Sequence, residues 1–222
     1  MNVEATIFPE NKHERLAQLD LTEAILQRAI AEAAMSWANC SEHHPPSYSG
    51  YVFWGEAVRV LRDELAPFGW RAVEDGVSLV VNEMGDIAIL VESGDGGTGD
   101  PRFPVSTLRG RGPKTSEQVQ LNAGQLKLFA TAPSPNGTLT PLRQFASRQN
   151  WMLLHRRDLS ERVVHAELSL PVSVDADGRP DGWHERIILD AVPLDDMPFF
   201  ASGDGPDGLD GVDFDIPVER RG

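Results

Sequence analysis

The spacing of the apolar residues changes at Pro67 and Gly69, and this change limits the possible folds more than any other feature of the sequence. In the stretches 26–37 and 54–65, apolar residues recur every three or four positions, which places them on one face of a helix. Beyond Gly69, apolar residues fall in short segments bounded by Gly, Asp and Asn, a pattern typical of strands joined by turns. The chain must therefore pack helices by one face against a sheet.

The same patterns predict the order of the elements. Two helices come first, over 16–39 and from Trp54 to Leu65, separated by the Ser- and Pro-rich stretch 40–50. The rest of the chain is predicted to form, in order, strands at 70–73, 77–81 and 87–91, a helix at 115–129, and strands at 151–155, 163–170 and 183–192. Turn residues between the first three strands indicate an antiparallel meander.

We therefore predict an α+β fold: two N-terminal helices, then a largely antiparallel mixed sheet with one inserted helix. A chain of 222 residues is near the size of one domain, and we expect a single domain over residues 1–192. The remainder, 193–222, is an acidic extension rich in Gly and Asp. Within it, apolar and acidic residues alternate over 212–216. This alternation predicts a strand added to a sheet edge, in its own chain or in a neighbour.

Charge is unevenly distributed along the chain. The 34 acidic and 20 basic residues give a net charge of -14, which repels nucleic acid and anionic lipid at long range. Residues 101–160 nevertheless contain nine bases and two acids. Two interpretations remain open: the acidic flanks pack around a basic centre, or the centre forms a basic face.

The sequence contains a single cysteine, Cys40, which excludes an internal disulfide and a four-cysteine zinc site. The longest uninterrupted apolar run, 87–91, has five residues, whereas a membrane helix needs about 20. The first 20 residues lack the apolar stretch of a secretory signal. We expect a cytoplasmic protein.

Residue types that bind metals occur at two places. Cys40, His43 and His44 are close in sequence, but zinc takes about four ligands, so we expect a loop without metal and an inert thiol at a helix end. The aspartates at 204–210 lack the spacing of a calcium-binding loop, so we expect an acidic linker. No cofactor is expected.

Two loops between residues 93 and 114 could bind a ligand. The glycine-rich segment 93–99 lacks the pattern of a phosphate-binding loop, and we interpret it as a connector. In the next loop, Arg109, Arg111 and Lys114 are separated by glycines, and such cations can contact phosphates or a carboxylate-rich surface. These three residues are the candidate binding residues, and pairing with the acidic C-terminal extension is the alternative.

Four segments of the sequence resemble uncharacterised proteins of bacterial prophages and other mobile elements: 91–99, 122–129, 167–171 and 182–187. The resemblance spans residues 49–192. It implies an accessory gene of a mobile element, and it implies no catalytic residue.

The order helix, three-strand meander, helix, strand over 49–156 also resembles the core of the PD-(D/E)XK nucleases. In that family, acids hold Mg2+ or Mn2+, and a lysine helps to activate water. The resemblance implies Glu56, Asp86 and Glu92 as the acids, but the lysine position contains Gly94. Asp86 and Glu92 are six residues apart, which corresponds to about 20 Å along a straight strand.

Two functional classes follow from these observations. The first is a non-enzymatic factor, accessory or inhibitory, that binds another protein and acts on host machinery that handles nucleic acid. Its partner could be a basic nucleic-acid-binding protein, since the chain is acidic. Self-association into a homo-oligomer is the other interpretation that the sequence leaves open. The alternative is a divalent-metal nuclease or a degenerate relative of one. Direct contact with nucleic acid is expected only through the basic loop at 109–114.

Overall fold

The computed structural model describes residues 5–8, 11–74, 76–110, 112–131 and 148–195, with the side chains of the last helix described to Ala123. The helices are α1 (Lys12–Ala17), α2 (Glu23–Ala38), α3 (Tyr48–Leu65) and α4 (Pro113–Thr131). The strands are β1 (Thr6–Phe8), β2 (Arg71–Glu74), β3 (Ser78–Val81), β4 (Ile87–Ser93), β5 (Gln149–Asp158), β6 (Val163–Val174), β7 (Pro180–Ile188) and β8 (Val192–Pro193). No described helix has both the length and the apolar character needed to cross a membrane. Arg111, the aspartates at 204–210 and the predicted strand at 212–216 lie outside the described residues.

The strands form one mixed sheet in the order β1-β7-β6-β5-β4-β3-β2, with β8 paired to β6. Strands β2, β3 and β4 form the predicted antiparallel meander, and β5, β6 and β7 continue as antiparallel neighbours. Two pairs are parallel, β4 with β5 and β1 with β7. Helix α4 connects β4 to β5, so the α+β prediction, with one helix inserted in a mixed sheet, is confirmed.

Each face of the sheet has its own apolar core. On one face, side chains of the two long N-terminal helices and of the sheet form one buried cluster, which includes Trp37, Phe53, Leu61, Trp151 and Leu168. The other face buries a smaller cluster, which includes Leu90, Val105, Val119, Met152 and Trp183. The alternation of side chains along a strand explains why neighbouring residues of β5 belong to different clusters.

Helix α4 is joined to the sheet by a buried amide network. The Asn122 side chain donates to the carbonyls of Asn150 and Pro171 at 3.0 and 2.8 Å, and its oxygen accepts from the Asn150 amide at 2.8 Å. Because buried polar groups are costly without partners, these bonds fix the rotation of α4 about its axis. The network also holds α4 against both β5 and β6.

The boundaries of the N-terminal helices differ from the prediction. The expected helix over 16–39 is divided into α1 and α2, because Asp20 has a φ of 58°, and the Thr22 hydroxyl then accepts from the Ile25 amide at the start of α2. Helix α3 begins at Tyr48, inside the stretch predicted to be a break. It ends as predicted at Leu65, before a short 3-10 turn and Gly69 at a φ of 82°.

The sheet contains one strand that the sequence did not predict. Strand β1 has three residues and pairs in parallel with β7, and the adjoining α1 is held by ion pairs. Lys12 binds Glu23 and Asp190, and Arg15 binds Glu185. The predicted strand over 183–192 is also divided, into β7 and the two-residue β8.

A cleft at the end of the parallel strands

The carboxyl ends of β4 and β5 meet at one edge of the sheet, beside a cleft. Residues Ile87–Ser93 pair in parallel with Gln149–His155, so both strands end on the same side. Ligands of α/β sheets commonly bind at such an edge. The cleft has a volume of about 230 Å³ and is lined by Ser93, Gly94, Asp95, Gly96, Leu108, His155, Arg156 and Arg157.

The cationic wall of the cleft is supported by aromatic rings from α2 and α3. The Arg157 guanidinium lies 4.7 Å from the centre of the Trp37 ring and 5.8 Å from that of Phe53. The His155 ring stacks on Phe53 with 4.1 Å between centroids. A cation held over aromatic faces keeps its charge and loses rotational freedom, so the cleft presents a positioned positive charge.

Arg156, which also lines the cleft, is paired with a nearby acid. Arg156 donates to the Asp158 carboxylate at 2.9 Å. Hydrogen bonds from the Ser160 hydroxyl and the Glu161 amide, together with Arg156, hold the pKa of Asp158 below its ordinary value. The remaining acid, Asp95, accepts from the amide of Gly97 in its own loop at 3.0 Å.

The glycine-rich loop is fixed by a buried ion pair on the sheet. Glu167 is 0% exposed and Arg186 4%, and the guanidinium donates to the carboxylate at 2.7 and 3.0 Å. Arg186 also donates to the carbonyls of Gly97, Asp100 and Phe103. The loop is therefore an ordered wall of the cleft.

The loop does not have the arrangement of a phosphate-binding loop, which directs successive backbone amides at a ligand. The Gly94 amide donates to the His155 carbonyl and the Asp95 amide to the Ser106 carbonyl, both at 2.9 Å. The Gly99 amide donates to Glu167 at 2.9 Å. These amides hold the loop together, in agreement with its interpretation as a connector.

The three acids implied by the nuclease resemblance do not converge. Glu56 accepts from Arg59 of the same helix at 2.8 Å. Asp86 lies in the β3–β4 turn, where it accepts from the Asn82 side chain at 2.7 Å, and Glu92 lies at the other end of β4. The geometry does not bring these carboxylates to one ion.

The loop that follows the cleft carries the candidate binding residues. The Leu108 amide donates to the Ser93 carbonyl at 2.8 Å, which places Arg109 next to the cleft. At Gly110 the chain touches the β6–β7 turn so closely that a Cβ would lie 2.1 Å from the Asp177 carbonyl oxygen. The basic loop and the β6–β7 turn are therefore in close backbone contact at this point.

Lys114 opens helix α4, away from the lining of the cleft. Its ammonium binds Glu117 at 3.1 Å, and its side chain covers Gly76 in the β2–β3 turn. Arg109 and Lys114 are therefore separate surface cations, each next to a different turn.

In the described part of the chain, the side chains around Cys40 are not gathered into a group that could hold a metal ion. Cys40 is buried, and burial raises the pKa of its thiol, although the nearby Arg157 acts in the opposite direction. His44 stacks on Tyr48 with 4.5 Å between centroids, and its Nδ1 accepts from the Ser41 amide at 3.0 Å. This environment agrees with an inert thiol at a helix end.

Among the described residues, one group brings three metal-ligating side chains together: Asp158, Glu161 and His165 have ligand atoms within 4.8 Å of one another. The Asp158 carboxylate already accepts bonds from Ser160, from the Glu161 amide and from Arg156. The group therefore has a structural explanation: the Asp158 carboxylate holds the β5–β6 turn together by accepting from the backbone amides of Ser160 and Glu161.

We therefore expect the purified protein to contain well under one equivalent of zinc, because neither Cys40 nor His165 belongs to a site with about four available ligands. Elemental analysis of protein prepared without chelator measures this. Cys40→Ser and His165→Asn are the matched variants. A stoichiometric metal content that either variant abolishes would contradict the expectation.

No family model matches the chain, and no curated protein or solved structure matches it either.

Proposed function

We propose that the protein is a non-enzymatic protein-binding factor, and that the cleft at the ends of β4 and β5 receives an acidic side chain of the partner. The observation that carries the proposal is the position of Arg157, which lines the cleft and lies over the rings of Trp37 and Phe53. A guanidinium held in place pays little conformational entropy when it binds a carboxylate.

The size of the cleft favours a side chain over a substrate. Its volume is about 230 Å³, whereas sites for small molecules usually measure roughly 300 to 1,000 Å³. An Asp or Glu side chain of a partner fits within such a space. Leu108, which is exposed and lines the cleft, offers an apolar contact at the rim, and central anchors with such rims are typical of protein interfaces.

The net charge suggests the kind of partner. A chain of charge -14 attracts a basic protein at long range and increases the rate of encounter. We therefore propose a basic partner, such as one that handles nucleic acid, that inserts one carboxylate into the cleft. An accessory or inhibitory role in a mobile element agrees with the sequence resemblance over 49–192.

One observation favours the nuclease alternative. The order α3-β2-β3-β4-α4-β5, with β5 parallel to β4, agrees with the topology that the nuclease resemblance implies. The separation of Glu56, Asp86 and Glu92 argues against catalysis by them. Incubation with Mg2+ or Mn2+ and labelled DNA or RNA tests this alternative, and cleavage lost in Asp86→Ala or Glu92→Ala would establish it.

The binding proposal predicts that Arg157→Met reduces capture of the partner by about tenfold or more, because it removes a charged contact of at least about 1.4 kcal/mol. Immobilised protein is incubated with bacterial lysate, and captured proteins are quantified by mass spectrometry. Arg59→Met is the matched control, since Arg59 is an exposed arginine of α3 in a surface ion-pair network.

A second variant tests the loop. Replacing Arg109, Arg111 and Lys114 with alanine removes the three candidate cations of the basic loop. Lys114 pairs with Glu117 at the surface, and such exposed pairs contribute little to stability. If this variant loses the partner and Arg157→Met retains it, the contact site is the loop and the cleft is excluded. Equal losses in Arg157→Met and Arg59→Met would show only an effect of net charge.

A further inference from the structure

We infer that the chain forms a two-fold symmetric dimer, in which α3 packs antiparallel against α3 of a second copy and Tyr51 of each copy enters a groove of the other. The inference is independent of the cleft and of its proposed partner. Three features of α3 carry it: a row of residues along its exposed face, a glycine that the fold of one chain does not require, and a cation that complements tyrosine rings.

One face of α3 carries residues at the spacing of a helix–helix seam. Tyr48, Tyr51, Gly55, Val58 and Arg62 recur at intervals of three, four, three and four residues, the repeat of side chains that meet a second helix. The two tyrosines at the start of the row are 44% and 53% exposed. Exposed aromatic rings at this spacing indicate a surface for another helix.

A groove lies beside the second half of this row, between α3 and β3. It has a volume of about 260 Å³, and its lining includes Trp54, Gly55, Val58 and Arg62. The Tyr51 ring lies against Trp54, with 5.4 Å between centroids. The charged side chains of the lining form ion pairs within the chain, so the groove suits a neutral ring better than a charged side chain. Each chain therefore carries an exposed tyrosine next to a groove of side-chain size.

Gly55 lines the groove, and the fold of one chain does not require a glycine there. A Cβ at this position would have no atom within 4 Å. The residue lies inside a helix of 18 residues, where glycine is less favourable than alanine. A glycine on a helix surface permits another backbone to approach closely. We therefore place the crossing of the two helices at Gly55.

An antiparallel pair of helices centred on Gly55 is complementary to itself. Tyr48 lies seven residues before Gly55, and Arg62 lies seven residues after it, about 10 Å away in each direction along the helix. A two-fold axis at Gly55 places each Tyr48 opposite Arg62 of the other copy. It also places each Tyr51 opposite Val58, in the groove. Such an interface uses the same patch on both chains and closes as a dimer.

Arg62 has the chemistry to receive a tyrosine ring. It donates to Glu74 through one nitrogen, and its side chain is 28% exposed. A guanidinium that pairs with a carboxylate along its edge can still stack an aromatic ring on its face. The positive charge of Arg62 therefore complements the electron-rich face of Tyr48 from the second copy.

Sedimentation equilibrium of the full chain, at concentrations up to about 1 mM, tests the dimer. We expect the average mass to rise toward that of two chains. Tyr51→Ala should weaken the dimer about tenfold or more, because a buried tyrosine often carries much of the energy of an interface. Phe68→Ala is the matched control, since Phe68 is 63% exposed and lies outside the row, and it should not change the dissociation constant. A chain that stays monomeric throughout overturns the inference.

Two substitutions of Gly55 separate association from folding. Gly55→Leu should obstruct the crossing and weaken the dimer about tenfold or more. Its circular dichroism should remain that of the folded chain, because one chain leaves space for the side chain. Gly55→Ala should raise the urea midpoint of the diluted monomer, since alanine favours the helix. A lower midpoint would show that the chain itself requires the glycine, and the inference would be overturned.

A cysteine variant tests the position of the two-fold axis. In a Cys40→Ser background, Gly55→Cys puts one thiol from each copy at the axis, where the Cα atoms lie within the roughly 7 Å that a disulfide allows. Oxidation in air should therefore give a covalent dimer. Ala24→Cys, at an exposed position of α2, is the control and should stay monomeric under reducing-agent-free electrophoresis. If the chain dimerises but Gly55→Cys does not cross-link, the dimer uses another surface and the inference is wrong.

Discussion

Replacing Arg186 with methionine is expected to lower the free energy of unfolding by about 3–5 kcal/mol, because it leaves the carboxylate of Glu167 buried without its cation. Glu167 is 0% exposed, and among the described residues the Ser169 hydroxyl and the Gly99 amide would remain as its hydrogen-bond donors. Urea denaturation followed by circular dichroism measures the change. The loop from 94 to 107 should also lose order, since Arg186 donates to the carbonyls of Gly97, Asp100 and Phe103.

Two further variants define the origin of this effect. Removing both charges, with Arg186→Met and Glu167→Gln together, should cost less than Arg186→Met alone, because no uncompensated charge remains buried. Arg15→Met is the matched control, as it breaks an ion pair with Glu185 that is nearer to the surface. If Arg186→Met lowers the free energy of unfolding by less than about 1 kcal/mol, the buried pair contributes no more than a surface ion pair, and the expectation is wrong.

Gly97→Ala is expected to destabilise the protein by about 1–3 kcal/mol, the cost of forcing additional atoms into packed surroundings. A Cβ at this position would lie 1.9 Å from the carbonyl oxygen of Pro104, and the backbone there cannot move aside as a flexible side chain would. The backbone segments around Gly97 and Pro104, which lie against each other in this loop, would have to separate. Hydrogen exchange of the amides from 94 to 108, measured by mass spectrometry, should increase.

Gly96→Ala provides the control for this substitution. It is the neighbouring glycine, and a Cβ there would have no atom within 4 Å. Its stability should change by no more than about 0.5 kcal/mol, the usual range for surface substitutions. If Gly96→Ala and Gly97→Ala have the same effect, the close contact with Pro104 is not what requires glycine at 97.

The sequence predicted the parts of the fold that depend on local spacing. The stripe from Leu26 to Trp37 indicated α2, and the turn residues around Asp86 indicated the meander. Strand β1 could not be predicted, because three residues are too few for an alternating pattern and its partner β7 lies far along the chain. The division between α1 and α2 depends on the positive φ of Asp20, a conformation that aspartate adopts only in some contexts.

The cleft was less predictable than the fold. Arg157 was visible as part of the basic centre of the chain, but its support depends on Trp37 and Phe53, which come from two helices far away in sequence. A signal for the buried ion pair did exist. Glu167 lies on the polar side of an alternating strand, where a fully buried acid requires a cation on a neighbouring strand, and Arg186 is that cation.

The parallel pairing of β1 with β7 has a consequence for folding during synthesis. Thr6 pairs with Glu185, so the ribosome must add about 180 residues before the first strand meets its partner, which takes roughly 10–40 s at bacterial and eukaryotic elongation rates. Until then, Lys12 and Arg15 also lack the partners that they find at Asp190 and Glu185. The N-terminal segment therefore docks late, although it leaves the ribosome before the rest of the described chain.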